Sequence, residues 1–293
     1  AKGRFEGKIK EEARMKKSRL LALVLTALMA LAVLAGCGGG QSTGLQAIKD
    51  RGTIRIGVFS DKPPFGYVDE NGQNQGYDVY LAKRLAKDLL GDESKVEFVL
   101  VEAASRVEYL QSGKVDIILA NFTVTPERAE AVDFCNPYMK VALGVVSPDG
   151  AVISDMSQLK GKKVIVNKGT TGETYMTENY PDIELLKYDQ NTEAFNALKD
   201  GRGDALVHDN TLLFAWVREN AGFKVGIGSM GNIDTIAPAV QKGNTELKDW
   251  INNELAELVK ENFMHENFNQ TLKPAYGDTV NPEDVVVEGG VVK

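Results

Sequence analysis

Strand-like and helix-like periodicity alternate twice along this chain, and no other feature narrows its possible folds as far. Residues 53–59 form an apolar strand that Pro63 and Pro64 break. From Asp78, a suitable helix N-cap, apolar residues recur at helical spacing through Val79, Leu81, Ala82, Leu85, Ala86 and Leu89. A strand at 96–101, a helix around 107–110 and a strand at 115–120 follow. The rhythm then restarts, with strands expected at 163–167, 183–188, 205–208 and 224–227, and helices after Thr171, at 192–198 and at 211–219. Helices interleaved with strands imply mostly parallel sheets covered by helices, and two such series imply two sheets. Apolar extended segments at 138–147 and 235–241 each read as a strand crossing between two lobes, with hinges near 142–146 and 236–240. A last long helix, 246–263, lines up Leu247, Ile251, Leu255, Leu258 and Val259 on one face, which suits packing against a core.

The chain has 293 residues, more than one hydrophobic core usually serves, and 43% apolar with 26% charged residues exclude a disordered chain. Near its start Lys16, Lys17 and Arg19 precede an apolar run, 20–35, that is short for a membrane span and ends at Leu34-Ala35-Gly36-Cys37 before a Gly-rich stretch. This resembles a bacterial lipoprotein signal, with an uncleaved anchor helix as the other reading. The resemblance implies a signal peptide and upstream extension over 1–36, a lipidated Cys37 carrying palmitate-type acyl chains, and a flexible tether over 37–44. Residues 1–36 hold eight Lys and Arg and three Asp and Glu, so the remaining body has 26 basic against 38 acidic residues. So acidic a body does not suit nucleic acid, which needs clustered positive charge. Beyond Cys37 only Cys135 is left, so no internal disulfide is expected, and Cys135 reads as a buried small residue. His208 and His265 are far apart in sequence, so neither a metal site nor a cofactor is expected.

Three segments follow the ends of expected strands, the edge where ligands bind in open α/β sheets. In the first, Asn121 to Arg128, Thr125 and Pro126 suit the start of a helix whose free N–H groups and Arg128 fork can meet a carboxylate, with Thr123 adding a hydroxyl. The second runs from Lys168 to Tyr175; there Gly169 permits close backbone approach, and Thr170 and Thr171 place two hydroxyls at a helix start. It lacks the ending of a phosphate loop. In the third, Asp209 offers a carboxylate to a cation. Together they fit a zwitterion, whose two charges must both be paired once removed from water. A capped surface helix with a solvated Arg128, and an Asp209 that only caps the next helix, are the plainer readings.

The order of Thr123-x-Thr-Pro-Glu-Arg128, Phe134-x-x-Pro-Tyr138, Lys168-Gly-Thr-Thr171 and the run from Gly201 to Asp209 resembles the bacterial extracellular solute-binding proteins of family 3, the polar amino acid receptors of ABC importers. The likeness covers residue 45 onward. It is strongest with the cysteine receptors of that family, through GYDVYLAKRLAKDL, VDIILANFT, DFCNPYMKVALGV and HDNTLLFAWV. It implies a two-lobed periplasmic-binding-protein-like (type II) α/β fold, with 45–142 plus 238–293 as the first lobe and 143–237 as the second. Arg128 would clamp the α-carboxylate with Thr123 and Thr171. Asp209 would pair with the α-ammonium, to which the backbone around Asn121 would also accept. Phe65 would line the side-chain pocket, and Lys62 stands in the same loop where relatives often carry an aromatic ring. Arg106 is the specificity candidate: pointing inward it would suit a carboxylate or thiolate and disfavour cationic ligands, and otherwise it is a solvated helix-start residue. His208 either reaches the pocket or packs.

The expected protein is therefore an exported, lipid-anchored, monomeric receptor that delivers an amino acid, most simply cysteine, to an ABC permease at the bacterial envelope. Cystine and acidic amino acids are the alternative ligands. The rival of another class is a cyclohexadienyl-dehydratase-like enzyme on the same fold, for which His208 and Glu173 are the only acid–base candidates.

Overall fold

The computed structural model describes residues 44–292. The expected signal, the Cys37 lipid site and most of the tether lie outside the described residues. In chain order the strands are β1 (Ile54–Val58), β2 (Asp61–Lys62), β3 (Gly66–Val68), β4 (Asn74–Gln75), β5 (Val96–Leu100), β6 (Ile117–Ile118), β7 (Val132–Phe134), β8 (Met139–Pro148), β9 (Lys163–Asn167), β10 (Glu184–Tyr188), β11 (Ala205–Asp209), β12 (Phe223–Ile236) and β13 (Ala239–Gln241). They build two five-stranded sheets, β5-β1-β6-β13-β7 and β10-β9-β11-β8-β12, and a small antiparallel sheet β2-β3-β4. In the first sheet β1 runs parallel to β5 and β6, and β13 runs against both its neighbours. In the second, β9 is parallel to β10 and β11, while β8 is antiparallel to β11 and β12. The parallel part of each sheet is the part built from βα repeats, whose crossover helices require it.

Two departures from the sequence pattern matter. The short strand expected at 224–227 and the crossing segment from 235 form one long strand, β12, which follows β8 through three register shifts. Bulges of this kind let an edge strand twist without leaving its partner. Because β8 pairs over its whole length within the second sheet, the first passage between sheets lies at residues 135–138 rather than at 142–146. The second lies at 237–238. The two passages bond to each other's flanks: the Cys135 N–H donates to Pro238 O at 2.8 Å and the Tyr138 N–H to Ile236 O at 3.0 Å.

The helix Tyr77–Leu90 presses Val79, Leu81, Ala82, Leu85 and Ala86 onto the first sheet, each side chain of that size contributing about 1.5–3 kcal/mol on burial if as large as Leu. The helix Thr245–Leu258 buries Leu247, Ile251, Leu255 and Leu258, but ends there, leaving Val259 46% exposed. The chain beyond it runs over both lobes. Phe263, Met264, Phe268 and Leu272 join the core of the first, the Tyr276 hydroxyl donates to Thr211 O at 3.0 Å, and the Val287 N–H donates to Tyr138 O at 3.1 Å. Among the described residues no helix is long and apolar enough to cross a membrane.

Candidate ligand-binding site

Thr125 caps the helix Pro126–Ala131, its hydroxyl accepting from the Arg128 N–H at 3.2 Å, and Pro126 occupies the first turn, where a missing N–H costs nothing. Arg128 therefore starts at the mouth of the cleft and turns inward. Its Nη1 donates to Thr123 O at 2.7 Å and its Nη2 to Gly169 O at 2.9 Å, with the guanidinium 4.8 Å from the Phe122 ring centre. A guanidinium has five N–H groups, so three remain for a carboxylate. Burial pulls its pKa down to about 10, which still leaves it cationic at neutral pH.

Arg106 begins the helix Arg106–Gln111 and is buried, so its solvated reading does not hold. Its side chain is largely spent on carbonyls: Nε to Ala103 at 2.9 Å, Nη1 to Ala120 at 3.0 Å and Asn121 at 3.2 Å, and Nη2 to Gly169 at 2.9 Å. One N–H is left for a solute. Both arginines thus hold the same carbonyl, that of Gly169 on the opposite lobe. Gly169 has φ 72°, and a Cβ there would lie 2.5 Å from Ala104 Cα, so this close approach requires glycine.

Asp209 ends β11 at the N-cap position of the helix Asn210–Glu219, but its side chain makes no capping bond. Its carboxylate turns instead to Lys62, whose Nζ donates to Asp209 Oδ2 at 2.7 Å and to Asn121 Oδ1 at 2.5 Å. Lys62 is 2% exposed and lies 5.3 Å and 5.8 Å from the ring centres of Phe59 and Phe65. Burial raises the cost of charge on Asp209, but the Lys62 ammonium together with the neighbouring His208 ring outweighs it and holds the acid well below the usual carboxylate range. Burial lowers Lys62, and Asp209 offsets part of that effect. From the sequence Lys62 is only a position without an aromatic ring. The available signal was a lysine flanked by Phe59 and Pro63-Pro64-Phe65 beyond the end of a central strand.

Asn121 adopts φ 45°. Its N–H donates to Asp78 Oδ2 at 2.9 Å, and Asp78 Oδ1 accepts from the Tyr138 hydroxyl at 2.6 Å. Asp78 is therefore not a helix cap: Gly76 takes that position, and burial pushes the Asp78 carboxyl up to about 7. The Asn121 carbonyl accepts from Arg106, and its side-chain oxygen accepts from the Lys62 ammonium.

Thr123, Thr170 and Thr171 border the cavity with Arg128 and Asp209. The Thr170 hydroxyl is engaged in its own turn, donating to Asn167 O at 2.7 Å and accepting from the Glu173 N–H at 3.3 Å. Phe65 is fully buried in the first lobe's core and does not border the cavity; Phe59 does. His208 also stays outside it. The Asp209 N–H donates to His208 Nδ1 at 2.7 Å and His208 Nε2 faces Asn191 Oδ1 at 3.1 Å, the pattern of a neutral ring protonated on Nε2. Burial lowers its pKa in the same sense, so its approach to Asp209 is not an ion pair. Glu173 accepts from the Gly169 N–H at 2.7 Å and pairs with Lys187, which leaves neither acid–base candidate disengaged.

The cavity enclosed by these side chains measures about 10 Å³, and a larger one of about 400 Å³ adjoins it through Arg128 and Thr171. An amino acid reaches the polar groups only when the lobes part or Lys62 and Arg128 move. Around the small cavity three cations, Lys62, Arg106 and Arg128, face one carboxylate, Asp209. Such a field attracts anionic groups and repels cationic solutes.

Residues 54–273 match the bacterial extracellular solute-binding proteins, family 3. The chain belongs to that family. It is an α/β protein of the two-lobed periplasmic-binding-protein type, a solute-binding protein of amino acid ABC transporters and not an enzyme. The crystal structure of a cysteine-binding protein from Campylobacter jejuni is 63% identical, covers 83% of this chain and 98% of its own, and superposes with a TM-score of 0.83. A solute receptor for L-cysteine of Neisseria gonorrhoeae is 62% identical, covering 84% of this chain and 100% of its own, with a TM-score of 0.82. The ABC transporter glutamine-binding protein of Bacillus subtilis (strain 168) is 35% identical over 271 residues, 88% of this chain and 98% of that one.

Proposed function

We propose that this family member captures cysteine between its lobes and passes it to an ABC permease. The observation that carries the reading is the sharing of one cavity by Arg128, with three N–H groups to spare, and Asp209 from the other lobe. They form the two poles a zwitterion needs. The cysteine-binding proteins at 63% and 62% identity support the choice of solute, and the excess of cations supports one whose side chain can carry negative charge. Cysteine has seven non-hydrogen atoms, which limits its binding to about −10 kcal/mol, so nearly every atom has to be contacted and both lobes have to close on it. The acidic amino acids form the second reading, favoured by the same charge imbalance.

The closing residues are Arg128, Asp209, Asn121, Thr123, Thr171 and Lys62, with Arg106 and Gly169 fixing their backbone and Thr170 the helix start. Lobe boundaries follow the two passages, 135–138 and 237–238. Cys37 is the lipid site that anchors an exported, monomeric chain beside its permease. A calorimetric and thermal-shift screen of the twenty amino acids and cystine, in the presence of reductant, tests the reading: cysteine raises the melting temperature most, because a ligand of the native state stabilises it. A screen won by glutamine or arginine overturns it. Mass spectrometry of the membrane fraction, with Cys37→Ser as control, checks the anchor.

A further inference from the structure

We propose that Lys62 sets the specificity of this cleft. Its ammonium holds Asp209 and Asn121 in the place of a solute ammonium; on binding it yields Asp209 to the solute and takes the solute's side-chain anion, a thiolate in the case of cysteine. The inference rests on the amino acid reading above and extends it to the side-chain pocket.

Lys62 Nζ makes the two contacts a bound α-ammonium would be expected to make, with the Asp209 carboxylate and an Asn121 oxygen, at 2.7 Å and 2.5 Å. A solute ammonium reaching Asp209 therefore meets a tethered competitor. Lys62 cannot leave for water without disturbing its strand, since it is 2% exposed and sits between the Phe59 and Phe65 rings. Deprived of Asp209, a buried ammonium needs another anion. Of the other cations around the cavity among the described residues, Arg128 is the carboxylate's partner in the reading above, and Arg106 has four of its five N–H groups on backbone carbonyls. That leaves Lys62 to recognise the side chain. A neutral zwitterion adds no net charge to the cation excess of the cavity, whereas one with an anionic side chain reduces it, and a cationic one enlarges it. For cysteine the thiol yields its proton to water before the lobes close, and the thiolate sulfur accepts from Lys62.

The groups facing Lys62 are Asp209 and His208 from β11, Asp78 from the helix Tyr77–Leu90, and Arg106 from the next helix. Asp78 titrates near neutrality, so the reference solute must experience the same protein groups without owning a thiol. Alanine meets that condition. Calorimetry with cysteine, S-methylcysteine, alanine and aspartate, under reductant at pH 6 and pH 8, is run on the full protein and on Lys62→Met and Lys62→Gln, with circular dichroism to establish folding. The protein as it stands prefers cysteine to alanine by about 100-fold or more at pH 8. That ratio shrinks by about tenfold per pH unit on acidification, because the thiol has a pKa near 8.5 in water. In both variants the ratio falls below about tenfold and loses its pH dependence, S-methylcysteine then binding like cysteine. If Lys62→Met does not fold, Lys62→Gln, which keeps an N–H donor without the charge, decides.

Cysteine preference that survives in a folded variant overturns the inference and leaves the cysteine reading intact. Parallel loss of every solute also overturns it, since Lys62 would then be a support of the fold. Aspartate outranking cysteine in a Lys62-dependent way upholds the inference and overturns the choice of cysteine.

Discussion

The two walls of the cleft are built from different chemistry. The first lobe supplies three long cationic side chains, Lys62, Arg106 and Arg128, each aromatic-backed, the first two buried and the third half-buried. The second supplies a carbonyl, two threonine hydroxyls and one carboxylate, from the residues just after β9 and the last residue of β11. One wall reaches with long side chains; the other receives them with short ones and one carbonyl. The difference teaches that closure and recognition use the same bonds, because the Gly169 carbonyl and the Asp209 carboxylate are the acceptors on which the opposite wall's cations come to rest.

Removing one side of the charge match should have the largest effect. Arg128→Ala abolishes calorimetric binding with little change in melting. Asp209→Ala abolishes binding too, but also leaves Lys62 buried without a partner and so lowers stability by about 3 kcal/mol. The double variant with Lys62→Met recovers most of that stability and none of the binding, as urea unfolding would register; an Asp209→Ala protein as stable as the parent would mean that the pair is not what joins the walls. Next, Gly169→Ala places a methyl within 2.5 Å of Ala104 Cα and strains a φ of 72°. Its affinity falls about 100-fold, equivalent to roughly 2.8 kcal/mol, while its circular dichroism is unchanged.

A smaller effect is expected outside the pocket. Asp61 on the first lobe accepts from Asn191 Nδ2 and from the Thr192 N–H, both at 3.0 Å, on the second. Asp61→Ala weakens binding by less than about tenfold, since exposed contacts of this kind are worth about 1 kcal/mol; small-angle scattering should show a larger open population. A signature apart from binding is in pH. Asp78 is raised from 3.8 to about 7 in the folded protein, so between those values the native state binds a proton that the unfolded chain has released. Its contribution is present below pH 3.8 and is lost as pH rises towards 7. Asp78→Asn removes that slope from the melting-temperature profile, and a profile identical to the parent's would show that Asp78 does not titrate there.

Much of the architecture was legible because burial imposes periodicity. The helix Tyr77–Leu90 and the helix Thr245–Leu258 declare their inner faces through evenly spaced apolar residues, and Thr125-Pro126 announces a helix start by its own local bonding. β12 was not legible, because a bulged edge strand with exposed residues such as Ile233 keeps no strict alternation. Within the site, Arg128, Asp209 and Arg106 could be singled out from their places after strands or at helix starts. What each one bonds across the cleft could not, since the Gly169 carbonyl that takes both arginines and the Lys62 that takes Asp209 stand on the facing lobe. Lys62 shows the limit: lysine is almost always solvated, so its burial follows only from Asp209, distant in sequence and brought near by the fold.

The chain after Leu258 also has a mechanical consequence. The Val287 N–H is tied to Tyr138 at the end of the first ribbon, and the Tyr276 hydroxyl, tied to Thr211, joins the halves at a third place besides the ribbons at 135–138 and 237–238. A third tie resists twisting of one half against the other about the two ribbons. Each opening should therefore return Lys62 and Arg128 to the same register against their acceptors, which spares the receptor a search through misaligned closures.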